Sequence, residues 1–425
     1  MAGYLVIACF IALFIAGTPV VYAVLIPSIA YVLLDDLPMS LLATRVTYAL
    51  DSFPLVAVPV FIFVGNLMNT SGITDRIFRF ADVMVGRIPG GLAQVNIFGS
   101  LIFSGISGAA LADIGGLGRV EIKAMRERGF DAPFSAAVTA ASALIGPLFP
   151  PSIPLIVYGS VTSVSIVQLL LAGIVPSLVC TVALMIAAAI VAVRAGYPRA
   201  DRWPRLSEIW GAFVPAAPAV TAPLLIIAGM LTGIFTPTEA AAATAVYVML
   251  VGFLVHAEMT WRHVLQAALL SARNTSAILI IIAAAALFGW ILAVEEIPQK
   301  FGTVIELVAA DRSTLLLLVN VIFFVAGMFL DSTTATLLIV PIVAPPVVAA
   351  GVDPVHLGLV IIFNLMVGLL TPPMGLALFL ISDIARVPMH ALLRALLPFY
   401  PPLLASLALV TYWPWLSLCI PNLIR

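Results

Sequence analysis

Two clusters of glycines, prolines and small polar residues hold the groups in this chain best suited to binding an ion or a solute. The first runs Phe103-Ser104-Gly105-Ile106-Ser107-Gly108-Ala109 and is followed by Gly146-Pro147-Leu148-Phe149-Pro150-Pro151-Ser152-Ile153-Pro154. The second runs Ala326-Gly327-Met328-Phe329-Leu330-Asp331-Ser332-Thr333-Thr334 and is followed by Gly368-Leu369-Leu370-Thr371-Pro372-Pro373-Met374-Gly375. Gly105 and Gly327, Gly146 and Gly368, and the two Pro-Pro pairs each lie 222 residues apart, as do Gly129-Phe130-Asp131 and Gly351-Val352-Asp353. Proline lacks the amide donor and clashes with the preceding turn, so each long apolar segment must break at its Pro-Pro pair. The carbonyls freed there are hard oxygen ligands, tolerated at membrane depth only when buried in protein or lining a wet cavity. The half-helix that follows each break offers its N-terminal amides to an anion. This chemistry binds a cation and an anion and makes no bond.

A packing-only reading exists for each feature. One proline kink is ordinary in a membrane helix, and Gly, Ala and Ser let helices approach closely. Recurrence of two kinks and two small-residue tips at one offset favours binding. Asp331 strengthens this, because a carboxylate in the bilayer core costs about 2.5–3.5 kcal/mol and must pair or bind something. Asp113 shares that role, or instead caps a helix or reaches the interface. Asn364 is a candidate oxygen ligand, with Ser142 at the equivalent position, whereas Asn66, Asn96 and Asn320 serve equally well as interhelical hydrogen-bond partners. Glu239 follows Pro237 in a first helical turn, where it favours the positive dipole end.

The elements that position these groups follow from composition. The chain has 425 residues, of which 63% are hydrophobic and 9% charged, with a mean hydropathy of +1.20. Soluble domains carry about 25% charged residues, so this is an integral membrane protein with helical spans. The net charge of −1 gives no support to nucleic-acid binding. Cys9, Cys180 and Cys419 are too scattered for a disulfide framework or a metal site. There is no phosphate loop, so ATP hydrolysis is not expected of this chain. Gly116-Leu117-Gly118 lacks the strand and third glycine of a dinucleotide fingerprint, and Ser107 lacks the final glycine of a nucleophile elbow. The four histidines show no ligand spacing and are expected at interfaces. A proton pump would carry more buried acids and histidines.

Charge bias organises the two halves. Arg76, Arg79 and Arg87 precede the apolar stretch 88–118, and Arg119, Lys123, Arg126 and Arg128 follow it, so both its ends read as cytoplasmic. Such a stretch is a pair of short spans or a re-entrant hairpin, and Gly99, Gly105, Gly108, Gly115, Gly116 and Gly118 favour a hairpin with a broken tip. The equivalent stretch, 310–340, is followed by a second loop, 341–350, which has no charge, in contrast to the basic loop 119–128. The same pattern with the opposite charge bias is expected of an inverted-topology repeat. The fold expected is an all-α polytopic membrane protein of two inverted repeats with re-entrant hairpins and interrupted helices. The first repeat spans 1–200, with hairpin 88–118 and broken helix 133–165. A cytoplasmic linker, 201–211, leads to the second repeat, 212–425, with hairpin 310–340 and broken helix 355–385. The run from Tyr4 to Leu34 exceeds one bilayer thickness, so it tilts or breaks at Gly17-Thr18-Pro19.

Several motifs together resemble one family over essentially the whole chain. They are Gly90-Gly91-Leu92-Ala93-Gln94-Val95-Asn96, the Phe-Ser-Gly-Ile-Ser-Gly tip, Ile145-Gly146-Pro147 with Pro150-Pro151-Ser152-Ile153-Pro154, Phe235-Thr236-Pro237-Thr238-Glu239-Ala240-Ala241, Phe288-Gly289-Trp290 and Leu370-Thr371-Pro372-Pro373. They resemble the large membrane subunit of tripartite ATP-independent periplasmic (TRAP) transporters. The resemblance implies a sodium-driven importer of elevator type in the bacterial inner membrane, with Na+ as coupling ion and no other cofactor. It implies as partners a small four-helix membrane subunit, here a separate polypeptide, and a periplasmic solute-binding protein. It implies small organic anions as cargo: dicarboxylates, keto acids or sugar acids. The sodium residues it implies are Ser104, Gly105, Ser107, Gly146, Gly327, Asn364, Gly368 and Thr371. The solute is expected at Ser107, Gly108, Pro150, Pro151, Ser152, Asp331, Ser332, Thr333, Pro372 and Pro373. This chain has Ala109 where many relatives show serine and Asp331 where many show glutamate. Rival readings are a stand-alone ion-coupled anion transporter of similar architecture and a membrane enzyme or scaffold, for which no catalytic constellation is visible.

Overall fold

The computed structural model describes residues 2–51, 53–199, 202–308 and 311–423, except for the side chains at 53–54, 70, 74–75, 104–107, 304 and 306–308. Every regular element among the described residues is a helix. That is the expected outcome for apolar runs in lipid, where each backbone group must find its partner within its own segment. The first half holds α1 (Ala2–Ile15), α2 (Val20–Leu34), α3 (Ser40–Leu50), α4 (Ala57–Thr70), α5 (Ile73–Val85), α6 (Leu92–Ser107), α7 (Ala110–Gly116), α8 (Gly118–Glu127), α9 (Ala132–Ser142), α10 (Ile153–Thr162), α11 (Ile166–Ala172) and α12 (Ile174–Ala195). The second half holds α13 (Leu206–Leu231), α14 (Pro237–Leu250), α15 (Trp261–Val294), α16 (Ile297–Val308), α17 (Arg312–Phe329), α18 (Ser332–Ala349), α19 (Pro354–Leu369), α20 (Leu376–Ala385), α21 (Met389–Leu396), α22 (Tyr400–Tyr412) and α23 (Trp415–Asn422).

Among the described residues, six stretches are long and apolar enough to cross a bilayer, or up to eight if each of two bent helix pairs is one span. The chain is thus a polytopic membrane protein. α12 shows how the sequence divides lipid from protein. Leu178, Val182, Ile186, Ile190 and Val193 form an exposed stripe, while Ser177, Cys180, Thr181 and Leu184 are buried. A stripe of that kind would be a liability in water and fits a hydrocarbon solvent.

The element order repeats at the spacing of the motifs. α6, α9, α10 and α11 recur as α17, α19, α20 and α21, and α7 with α8 recurs as α18. α3 and α4, separated near Asp51, match the unbroken α15, which is about 51 Å long. The turn glycines Gly129 (φ 88°) and Gly351 (φ 89°) adopt the same left-handed conformation, which an L side chain resists. Both Pro150-Pro151 and Pro372-Pro373 are cis. Packing between the halves is reciprocal: α18 lies against α10, and α7 lies against α20.

Three boundaries differ from expectation. Residues 119–128 and 341–350 are not loops but continue the second hairpin arms as α8 and the C-terminal part of α18. In α8 the basic Arg119, Lys123 and Arg126 are exposed while Ile122 and Met125 are buried. Charges spaced three or four apart on one helical face imitate a charged loop when read linearly. In α18, Pro341, Pro345 and Pro346 lie inside the helix. The linker expected at 201–211 is shorter, because α13 begins at Leu206. Residue 310, the expected start of the second hairpin, lies outside the described residues. The first apolar run does break, with α1 ending at Ile15 and α2 starting at Val20 around Gly17 (φ 83°).

Candidate ion and solute site

The second cluster is built on a crossing of two glycines. α17 and α19 meet where Gly327 faces Gly368. A Cβ on Gly327 would lie 2.7 Å from the Leu365 carbonyl oxygen, and one on Gly368 would lie 2.6 Å from the Phe324 oxygen. Only hydrogen side chains permit this approach of backbone to backbone. The crossing directly precedes the hairpin tip at Leu330-Asp331 and the break at 370–375. Tip and break are tied together, since the Gly375 amide donates to the Met328 carbonyl at 2.9 Å. Tyr400 Oη donates to the Leu370 carbonyl at 2.5 Å, and Thr371 Oγ1 turns back to the Val367 carbonyl at 2.8 Å.

Asn364 stands one helical turn before Gly368 and is fully buried. Its Nδ2 donates to the Val360 carbonyl at 2.8 Å and to Asn320 Oδ1 at 2.5 Å. Its Oδ1 has no hydrogen-bond partner. A buried carbonyl in that condition costs about 1–3 kcal/mol, and a hard cation is the ligand that would relieve it. Asn364 Oδ1, a buried hard oxygen left open, is therefore the atom here that would help hold a sodium ion.

Asp331 caps α18. Its Oδ1 accepts from the amides of Thr333 at 2.9 Å and Thr334 at 3.2 Å, and its Oδ2 accepts from the Thr334 hydroxyl. The carboxylate thus organises the tip, with its charge at the positive end of α18. The neighbouring Ser332 carbonyl accepts from Thr336 Oγ1 at 2.6 Å.

The first cluster also brings a tip against a break. Gly108 (φ 60°) forms the tip, and a Cβ there would lie 2.3 Å from the Pro151 oxygen. The Ile153 amide donates to the Gly108 carbonyl at 3.3 Å, tying tip to break as in the second half. Ser152 is fully buried and works inside the break. Its Oγ donates to the Pro147 carbonyl at 2.5 Å and accepts from the Leu155 amide at 3.3 Å. Gly146 is buried just after the short turn at 143–145. The side chains of Ser104, Gly105 and Ser107 lie outside the described residues. The breaks differ in access: Pro150 and Pro151 are buried, while Pro372 and Pro373 are exposed.

The expected residues therefore gather into two tip-and-break units, joined by the reciprocal packing of α18 on α10 and α7 on α20. None of them is among the described residues that line a cavity of about 940 Å³ between α3, α14 and α15 on one side and α10, α11 and α18 on the other. Tyr48, Asp51, Ser160, Thr236 and Gly289 line it.

Other residues find structural roles. Glu239 forms a capping box, accepting from the Thr236 amide and hydroxyl, both at 2.8 Å. Asn66 bridges to Ser271 at 2.8 Å. Asp113 is buried in the first turn of α7. His356 corrects the expectation for histidines. It is fully buried in α19 and contacts Ser417 Oγ and the Thr411 carbonyl, because α22 and α23 fold back over that end of the helix. Sequence reasoning missed Tyr400, a lone phenol in an apolar run whose target carbonyl is exposed only by the fold.

The family described as tripartite ATP-independent periplasmic transporter, DctM component, matches residues 7–416. The chain belongs to this family. This DctM-type subunit is 40% identical to the sialic acid TRAP transporter large permease protein SiaM of Vibrio cholerae, over 97% of this chain and 96% of that protein. It is 33% identical to the C4-dicarboxylate TRAP transporter large permease protein DctM of Rhodobacter capsulatus, over the full length of both. Among solved structures, the YdaH transporter of Alcanivorax borkumensis shares its fold, with a TM-score of 0.61 at 15% identity over 88% of each chain. The resemblance carried by the motifs is thus that of a true family member, and these relatives are named as permeases rather than as enzymes.

Proposed function

We propose that this DctM-type subunit imports a small organic anion into bacteria across the inner membrane, driven by a sodium gradient. A periplasmic binding protein delivers the solute and a small four-helix membrane subunit completes the carrier. The observation that carries this reading is the paired tip-and-break unit at a 222-residue offset, with the unpartnered Asn364 carbonyl beside one of them. Gly327 and Gly368 bring the backbones of α17 and α19 together, with Asn364 one turn before the crossing and Thr371 three residues after Gly368. The exposed Pro372-Pro373 break leaves one route for an anion to approach α18 and α20.

Two further features support the finer mechanism. Basic residues crowd the exposed face of α8, and the equivalent turns of α18 carry none, which suits two halves inserted in opposite senses. α17 and α18 are each long enough to cross a bilayer. The hydrogen bond from Gly375 to Met328 nevertheless holds their tip at the level of a helix break, which suits a re-entrant hairpin. The cavity between α15 and the α10–α18 pair suits an inner unit that slides against an outer frame.

Relatives named for sialic acid and for C4-dicarboxylates support a small organic anion as the cargo. The chain, its small subunit and its binding protein, reconstituted in vesicles, should accumulate a labelled sugar acid or dicarboxylate only under an inward sodium gradient. Equal uptake with potassium would refute sodium coupling. Uptake without the binding protein would favour a stand-alone carrier.

A further inference from the structure

The first half contains a buried polar cluster that its repeat lacks. Asp113, Leu117, Glu121 and Met125 form one stripe along α7 and α8, and all four are buried. Asp113 and Glu121 each expose only 5% of their surface. Asn96 Nδ2 from α6 donates to Glu121 Oε2 at 3.1 Å and to Thr139 Oγ1 of α9 at 2.7 Å. Asn96 Oδ1 in turn accepts from Ser142 Oγ at 2.7 Å. At the equivalent positions the second half has Leu318 for Asn96, Ala335 for Asp113, Val343 for Glu121 and Ile361 for Thr139. The fold therefore packs without the cluster, and the cluster needs another explanation.

Glu121 Oε1 has no hydrogen-bond partner. Among the described residues, no basic group compensates it. On α8 itself, Arg119, Lys123 and Arg126 are exposed. α6 and α9 carry no titratable side chain, and α20 carries Asp383 and Arg386 only at its exposed end. The charge that acts on Glu121 is that of Asp113, of the same sign. Thr139 Oγ1 and Asn96 Oδ1 already accept hydrogen bonds, so the oxygens left in the cluster to take up a bound ion are those of the Glu121 and Asp113 carboxyls. Two like charges buried together favour keeping one of the carboxyls protonated.

We propose that Glu121 is a proton-binding site at the base of the first hairpin, holding one proton shared electrostatically with Asp113 while α8 stays packed on α9. α8 is not among the membrane-spanning stretches. Burial first, and Asp113 second, push the Glu121 carboxyl well above the usual carboxylate range. Swinging α8 away from α9 would wet Glu121 and release the proton, so hairpin position and proton occupancy are linked. Glu121 stands 13 residues beyond the Gly108 tip, and its protonation does not depend on the identity of the cargo.

The test uses the full chain purified in detergent. The infrared spectrum at neutral pH should show a protonated carboxylic acid band that Glu121→Gln removes. The folded state binds the extra proton, so wild-type thermal stability should fall as pH rises from about 5 to about 8, whereas Glu121→Gln, a neutral mimic, should lose that slope. Asp113→Asn removes the like charge and should make the band titrate at lower pH, which keeps the idea testable if Glu121→Gln does not fold. An absent band, a slope unchanged in Glu121→Gln, or a band that sodium chloride abolishes at constant pH would each overturn the proposal.

Discussion

Replacing Gly327 with alanine probes the crossing that assembles the second tip-and-break unit. The new Cβ would meet the Leu365 oxygen at 2.7 Å, the Leu365 Cα at 2.9 Å and the Gly368 Cα at 3.2 Å. All three belong to backbone, so no side chain can rotate away and α17 must move off α19. Overpacking of this kind costs about 1–3 kcal/mol. Alanine recovers up to about 1 kcal/mol through its better helix propensity. The net expectation is a loss of about 1–2 kcal/mol. Gly211→Ala in α13 is the matched control, because a Cβ there meets nothing within 4 Å. It should gain about 0.5–1 kcal/mol. Chemical unfolding in mild detergent should therefore separate the two variants by about 2 kcal/mol, and Gly327→Ala should also lose uptake. Equal midpoints for Gly327→Ala and Gly211→Ala would refute the close crossing.

Asp331→Ala removes three cap interactions and should destabilise the tip by about 1–2 kcal/mol and abolish uptake. Asp331→Asn keeps an acceptor without the charge. Restored uptake in that variant would assign Asp331 to tip geometry, and continued loss would assign it to cation binding. Single cysteines introduced at exposed sites in 119–128 and 341–350 should react with impermeant reagents from opposite faces of the membrane; reaction from the same face would rule out inverted halves.

Much of this architecture was legible because breakers are local. Proline and left-handed glycine act on their own turn, so the breaks at 150–151 and 372–373 and the turns at Gly129 and Gly351 could be placed without tertiary information. The capping role of Glu239 was legible for the same reason. Features that depend on which helix faces which were not. α8 reads as a charged loop until Ile122 and Met125 are seen buried beneath its arginines. His356 is indistinguishable in sequence from an interfacial histidine, because its partners lie 55 and 61 residues away. Asn96 and Glu121 are 25 residues apart, and nothing in their spacing shows that they touch.

The exchange of arms between halves, α7 onto α20 and α18 onto α10, bears on biogenesis. When the first dozen helices have entered the bilayer, α7 and α10 still lack the neighbours they will finally rest upon. Insertion of the N-terminal portion therefore yields an incomplete intermediate, matured only once translation has delivered α18 and α20. Separately synthesised fragments would have to find each other in the membrane before either acquired its native form.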